Sequence, residues 1–523
     1  MTSATSFVPV ANEVSYEVIV VGAGASGSPL AARLSEDPNR QVLLLEAGPD
    51  YSAIADTPAD LRNGHHNSVV DHDWELEYSP TKQRPGQPLP RGRVTGGSSA
   101  VNTCIFLRGI PEDYAEWASR GNPEWAWENV LETFCRLERD LDFGNEPYHG
   151  DAGPISVRRY PHDELTELHQ AFLATADELG FPECPDQNDP LAWGAGPQPM
   201  NKLGQLRIST ASAYLAPARL RPNLEIRGGC HTNRLLIKRG RVIGVEVVHA
   251  DGSLEQIQAN LIVLCAGAIH TPGILLRSGI GPVEDLNRLG VDVIADVPGV
   301  GRNLSDHPAI IVLCRPTHLE LVAGNQPIIQ TILRYTAPAS DQRMDLQIEQ
   351  LTFAGRENLP YFGVAAVLEQ VDGVGELIFP SADPFASPQI SSRFCEHDGD
   401  ATRLADGFSD ALRFTDAGPL GALTEEVVFP DMQRVSHRDE VVALLRRFAA
   451  SGYHPCGTAR MGPPDDPTSV VDQYGRCHAL DGLVVADASI FPTVPRANTN
   501  PTSIMVGETI GEWLRTEPSR YGL

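Results

Sequence analysis

The chain has 523 residues, 41% of them hydrophobic, and a formal net charge of -27. That acidity argues against a nucleic-acid or anionic-membrane partner, and no apolar run is long enough to span a bilayer. The length allows about three domains, or two interleaved ones. Nine scattered cysteines, without a CxxC pair, indicate neither a disulfide framework nor a zinc site and point to a reduced, cytoplasmic protein. Residues 1–15 show neither the positive nor the apolar region of a secretory signal.

The first strong element is the β-branched run Tyr16–Val21, which reads as a buried parallel strand. Gly22, Gly24 and Gly27 follow, with Ala23, Ala25 and Ser26 between them, and Leu30 to Leu34 then look helical. In such a turn the first glycine allows the bend, the second lets a pyrophosphate approach, and the third permits helix–strand packing. The helix start offers free N–H groups to the phosphate. Pro29 is tolerated because it lies in the early turns. A second strand, Val42 to Leu45, ends in Glu46 and Ala47, and that carboxylate is placed to bind ribose hydroxyls. Strand, glycines, helix, strand and acid in this order predict a dinucleotide site.

Residues 51–91 read as a loop-rich excursion. Within it His65, His66, Asp71, His72 and Asp73 could suggest a metal, but their irregular spacing in a polar stretch favours a solvated lid, and no metal is expected. A second glycine turn runs from Gly92 to Asn102 and includes Arg93, Gly96, Gly97 and Ser98. Its small residues let the backbone lie against a ligand with its N–H groups engaged. Helical periodicity covers 112–138 and 163–180. Strands are expected at Asn223–Ile226, at Val242–His249 and, fully buried, at Leu261–Cys265, which ends in another close backbone approach at Ala266. Residues 310–440 are less patterned, and Val364–Leu368 and Glu376–Phe379 are expected in a sheet covering the substrate side. Leu483 to Ala488, containing Asp487, returns to nucleotide-domain character, and a helix from about Ser503 to Leu514 follows.

Two residues near the C-terminus carry the chemistry. His454, in Tyr453-His454-Pro455-Cys456-Gly457, can take a hydroxyl proton; Asn498, in Arg496-Ala497-Asn498-Thr499-Asn500, can hold the same oxygen. Asn500 is ranked as a turn or cofactor contact, and Cys456 as a packing residue. His270 and His307 are expected to make structural hydrogen bonds.

The chain resembles the glucose–methanol–choline (GMC) oxidoreductases over nearly its whole length, in their FAD-dependent alcohol oxidase and dehydrogenase branch. Gly22, Gly24, Gly27 and Glu46 match the FAD-binding start; Gly92 to Asn102 matches a first signature, except that Thr95 replaces an aliphatic residue; Gly267 to Gly281 fits a second. Gly299–Pro308 and Asp487-Ala488-Ser489 are further landmarks. The resemblance implies an α/β protein, α+β overall: a Rossmann-like FAD-binding domain interleaved with a substrate domain built on an antiparallel sheet with helices. On that plan the FAD-binding domain takes 14–155 (with the lid loop at 51–91), 221–308 and 444–523; the substrate domain takes 156–220 and 309–443. Asp487 and Ala488 would meet the ribityl–phosphate portion, and Asn102 with the preceding glycines the isoalloxazine. His454 matches the catalytic base, and Asn498 stands where members have His or Asn. The implied reaction oxidises a small-molecule alcohol to an aldehyde or ketone by hydride transfer to flavin N5, with oxygen or another carrier as electron acceptor. A hydroxynitrile lyase and a redox-silent nucleotide-binding module are the alternatives. Val101 occupies the position through which some members tether FAD by a His, so non-covalent FAD is expected.

Overall fold

The computed structural model describes residues 16–68, 70–338, 340–353, 359–431 and 437–523. The expected absence of a signal at 1–15, and the domain start at residue 14, lie outside those residues. Two seven-stranded sheets organise the molecule. The first has a parallel core in the order Leu224–Arg227, Val42–Leu45, Tyr16–Val21, Leu254–Leu264, Leu483–Val485. The long strand Leu254–Leu264 serves three neighbours: its second half lies between Tyr16–Val21 and Leu483–Val485, and its first half pairs with Arg241–Val248, which forms an antiparallel hairpin with His231–Lys238. Helix Gly27–Leu34 packs on this core, and Tyr16–Val21 and Val42–Leu45 are buried almost without interruption.

The second sheet is antiparallel, in the order Thr424–Phe429, Pro308–Pro316, Phe362–Leu368, Leu346–Thr352, Thr331–Tyr335, Gly194–Pro197. The amphipathic helix Asp398–Asp416 packs on one face of it, and the other face looks into the cavity described below. The two sheets draw on alternating stretches of the chain: the expected dinucleotide-binding plan interleaved with an antiparallel, helix-backed sheet.

Several local expectations change. The helical run over 112–138 is two helices, Pro111–Ser119 and Trp127–Leu137, broken where Gly121 takes φ +93° and Pro123 opens a short 3-10 turn. Proline lacks the donor that a continuous helix needs there. Glu376–Ile378 does not join the substrate-side sheet; it pairs with Gln389–Ser391 in a separate four-stranded sheet with Glu77–Ser79 and Gln87–Pro88. The last helix starts earlier than expected and runs Thr499–Thr516. Among the described residues no helix is long and apolar enough to cross a membrane.

Candidate active site

The glycine turns meet. Gly96 N–H donates to the Ala23 carbonyl at 2.7 Å, and a Cβ on Gly97 would stand 2.7 Å from the Gly24 Cα, so the second turn tolerates no side chain at the contact. Gly22 takes φ +99°, and a Cβ there would meet the Cys265 carbonyl oxygen at 2.4 Å. Gly27 is equally closed, against the Gly22 carbonyl. From Gly27 the eight-residue helix to Leu34 begins, its N-terminus directed at the turn.

A cavity of about 830 Å³ runs from these turns to the antiparallel sheet, near the upper end of ordinary ligand pockets. Gly22, Gly24, Ala25 and Ser26 line one end of it, with Glu46 and Ala47. Gly97, Ser98 and Asn102 come from the second turn; Ala266, Asp487, Ala488 and Asn500 close the middle. Three expected contacts stand back from the wall. Gly27 and Gly96 serve the close packing just described, and the Arg93 guanidinium lies over the Trp74 ring at 5.0 Å.

Several of these side chains already have work within the fold. Glu46 accepts the backbone N–H groups of Ala23 at 3.0 Å and Gly48 at 2.9 Å; burial raises its carboxyl to about 7. Asp487 accepts from Gly267 N–H at 2.8 Å, the Thr271 hydroxyl at 2.6 Å and Ser489 N–H at 2.8 Å. Asn102 Oδ1 accepts from Cys104 N–H and an Arg207 guanidinium N–H, both at 3.0 Å. By contrast, Asn498 Oδ1 and both polar atoms of the Asn500 amide are enclosed without a hydrogen-bond partner. Asn498 and Asn500 both line the cavity, so these atoms are open to a polar group bound there.

Chain pairing builds the His454 end. Pro308 pairs with Ser451, and Ser305 exchanges two backbone hydrogen bonds with Cys456, at 3.0 and 2.9 Å. This register brings His307 against His454, with Nδ1 to Nδ1 at 2.9 Å. Gly452 permits the approach: a Cβ there would stand 3.2 Å from His307 Cβ and 3.4 Å from His454 Nδ1. Asp306 pins the pair from below, accepting both His307 N–H and His454 N–H at 2.8 Å, and the Ser451 hydroxyl at 2.5 Å. Asn498 is the cap residue of the last helix, but its side chain caps nothing. Its Nδ2 donates to His454 Nε2 at 3.0 Å. That helix packs on Gly27–Leu34, with Gly507 against the Ser26 carbonyl, so one helix positions Asn498 relative to the glycine turn.

The proton positions follow from the partners. His454 Nε2 accepts from the amide and is bare, so its proton sits on Nδ1 and is donated to His307 Nδ1. By the same assignment His307 carries its own proton on Nε2, an atom buried without a hydrogen-bond partner among the described residues. Burial holds both rings neutral: His307 falls to about 3, and His454 lies well below its ordinary value, with His307 and Arg91 adding to the effect. A neutral imidazole with a bare nitrogen facing a cavity is a base.

Sequence reasoning found His454 and Asn498 but treated His307 as structural only, and it overlooked Asp306 as a support although both stood in a noted landmark. His270 makes no hydrogen bond through Nε2; it stacks on Trp74 at 4.0 Å instead, a correction to the expected structural hydrogen bond. Cys456 is fully buried, as a packing residue should be. The histidine-rich excursion is not simply solvated: His72 is buried and bonded to the Tyr51 hydroxyl at 2.9 Å, while His65 and His66 reach Asn325. Among the described residues no metal-like cluster forms there.

A dinucleotide cradle opening onto a neutral histidine and an amide defines an oxidoreductase of alcohols in class. Family models described as GMC oxidoreductase match residues 16–309 and 372–507, and the chain belongs to this family. It is thus an FAD-dependent oxidoreductase acting on CH–OH donors. It is 33% identical to the 5-(hydroxymethyl)furfural oxidase of Methylovorus sp. (strain MP688), covering 96% of this chain and 99% of that one. It is 34% identical to the oxygen-dependent choline dehydrogenase of Sinorhizobium fredii (strain NBRC 101917 / NGR234), with 94% of each covered. Among solved structures, pyridoxine 4-oxidase from Mesorbium loti superposes with a TM-score of 0.87 at 27% identity, over 95% of this chain and 98% of that one.

Proposed function

We propose that the protein oxidises an alcohol to an aldehyde or ketone, with His454 as the base, Asn498 as the hydroxyl anchor, and FAD held without a covalent bond. The observation that carries this reading is the His454 Nε2–Asn498 Nδ2 contact at 3.0 Å in the same cavity as the glycine turns. The cradle suits FAD: the turn at Gly22–Gly27 would hold the pyrophosphate, and Glu46, which keeps lone pairs beyond its two amide bonds, the ribose. Asp487 and Ala488 would take the ribityl–phosphate portion, and Gly97, Ser98, Asn102 and Asn500 the ring region. When bound, the flavin supplies the two-electron acceptor for the hydride leaving the carbinol carbon.

The alcohol oxygen enters between His454 Nε2 and the Asn498 amide. His454 takes the hydroxyl proton on Nε2 as the C–H bond breaks, while its Nδ1 proton stays directed at His307. Asp306 holds the backbone of both histidines, so the ring does not have to be oriented during the reaction. Asn498 orients the oxygen without adding charge, which leaves His454 neutral and basic. Val101, next to Asn102 on the cavity wall, offers no nucleophile for a tether. Nine free cysteines suit a reducing cytoplasm.

Anaerobic mixing with a panel of alcohols tests the reading: at least one should bleach the flavin, and admission of air then tests oxygen as the acceptor. A hydroxynitrile that is cleaved without bleaching, with no alcohol reducing the flavin, would replace the oxidation by lyase chemistry. Acid denaturation should give colourless protein and a yellow filtrate; colour retained on the chain would refute non-covalent binding.

A further inference from the structure

His454 hangs from a peptide unit that is anchored at both ends. Its own N–H donates to Asp306 Oδ1 at 2.8 Å. The Tyr453 carbonyl, in the same peptide plane, accepts from Arg91 Nη2 at 2.7 Å. A trans peptide is planar, with its N–H and C=O directed opposite ways, so two such contacts fix how the plane is turned. The His454 Cα lies in that plane, and Pro455 restricts the backbone of His454 to the extended region. Setting the plane therefore sets the direction of the imidazole.

Tyr453 does not hold this arrangement unaided. Its φ is +68°, in the left-handed region that a residue with a bulky side chain rarely adopts. It is 51% exposed, so packing supplies little restraint. Its N–H donates to Ser451 Oγ at 2.7 Å, and that hydroxyl donates to Asp306. Among the described residues the Tyr453 carbonyl has one donor, Arg91. Asp306 thus holds the loop from the side of the antiparallel sheet, and Arg91 holds it from the side of the second glycine turn, which begins one residue later. Arg91 is itself fixed there: its N–H donates to Asp73 Oδ1 at 2.7 Å, and its carbonyl accepts from Trp74 N–H at 3.0 Å. The side chain lines the same cavity as His454 and Asn498, and its Nε is enclosed without a hydrogen-bond partner. Arginines with a purely structural place in this chain look different, as Arg159 does between Asp140 and Asp186.

We propose that Arg91 is a positioning residue for the base: it ties the Tyr453–His454 peptide to the second glycine turn and so aims His454 Nε2 at the hydroxyl site beside Asn498. This rests on the alcohol-oxidation reading and adds a residue to it. The turn that would lie against the flavin ring then also carries the arm that fixes the base. One element governs both the place of the hydride acceptor and the place of the proton acceptor, and the reaction needs those two aligned. Charge acts at the same point. The Arg91 guanidinium, like His307, disfavours a proton on His454, so its removal leaves more of the base protonated at a given pH. Asp306, raised to about 6 by burial against the pull of Arg91, moves upward with it. Asp73, Tyr78 and Tyr453 also face Arg91, and Glu369 stands 3.6 Å from His307.

The test compares R91M and R91K with the wild type, as FAD-loaded enzymes and with rates taken per bound flavin. Lysine keeps a charge and one N–H for the Tyr453 carbonyl; methionine keeps neither. R91M should retain FAD, lose roughly tenfold to a hundredfold in the limiting rate of flavin reduction, and change far less in its apparent affinity for the alcohol. The acid limb of its pH–rate profile should move to higher pH. R91K should recover most of the rate and return the limb toward its wild-type position. In a crystal structure of R91M the Tyr453–His454 peptide should be turned, with His454 Nε2 drawn away from Asn498. Reduction by R91M near the wild-type rate, R91K no faster than R91M, or a loss of FAD that accounts for the whole decline each overturns the proposal. If no alcohol bleaches the wild type, the alcohol reading fails and the crystal structure still decides: a turned peptide in R91M sustains the anchor, and an unmoved one overturns it.

Discussion

The two ends of the cavity are built on opposite principles. At the glycine turns the ligand-facing surface is backbone, and side chains are excluded by contacts such as Gly97 against Gly24. At the antiparallel sheet the surface is side chain, and its character depends on which alternate residues face inward, as with Gln347, Glu349 and Val367. The turns suit a ligand whose phosphates are read by N–H groups, and they leave little to vary. The sheet face carries its lining on alternate strand residues, which can change without changing the strand's shape. Between them His454 and Asn498 answer to both halves: the first stands at the edge of the antiparallel sheet, the second caps a helix packed on the turn.

If that division is right, damage to the two ends separates rate from retention. His454→Ala should keep bound FAD and lose flavin reduction by roughly 10²–10⁴-fold, the usual contribution of a positioned base. Stopped-flow reduction near the wild-type rate would show that another group takes the proton. Asn498→Ala removes an uncharged hydrogen bond and should slow reduction by about tenfold, less than His454→Ala. The reverse ranking would exchange the two roles.

Glu46→Ala should do the opposite of His454→Ala. Its flavin-to-protein ratio after gel filtration should fall, while the remaining holoenzyme reduces at close to the wild-type rate; full occupancy at low FAD would mean that Glu46 serves only the Ala23 and Gly48 amides. The smallest effect concerns stability. Glu369 is raised from 4.5 to about 8 on folding, so between those values the folded chain holds a proton that the unfolded chain has released. Stability from this group is therefore present below about pH 4.5 and is lost as pH rises toward 8. Urea midpoints of the wild type should fall across that range, and Glu369→Gln should flatten the fall by up to ~1.4 kcal/mol per pH unit. An unchanged slope would place the Glu369 carboxyl outside the apolar wall.

The cradle was legible because local chemistry fixes it. A β-branched strand, glycines at 22, 24 and 27, and an acid at 46 impose a turn and a helix start with little help from the rest of the chain. His454 and Asn498 were legible from short motifs, although 44 positions separate them in the sequence. Even helical periodicity was an incomplete guide, since it ran across the break at Gly121 and Pro123. The sequence by itself thus determined the dinucleotide turn, the second glycine turn and the choice of His454 and Asn498 as candidates. Tertiary structure alone decided that Asp306 and His307 hold His454, that His270 packs on Trp74, and that Glu349 and Glu369 share a cavity wall. The physical reason is that these contacts join strands and loops distant in sequence. Strands such as Phe362–Leu368 are buried on both faces, so their residues carry no alternation of polarity to reveal the inward side. Only the pairing register, Glu349 opposite Ala365 and Pro308 opposite Ser451, settles which groups meet.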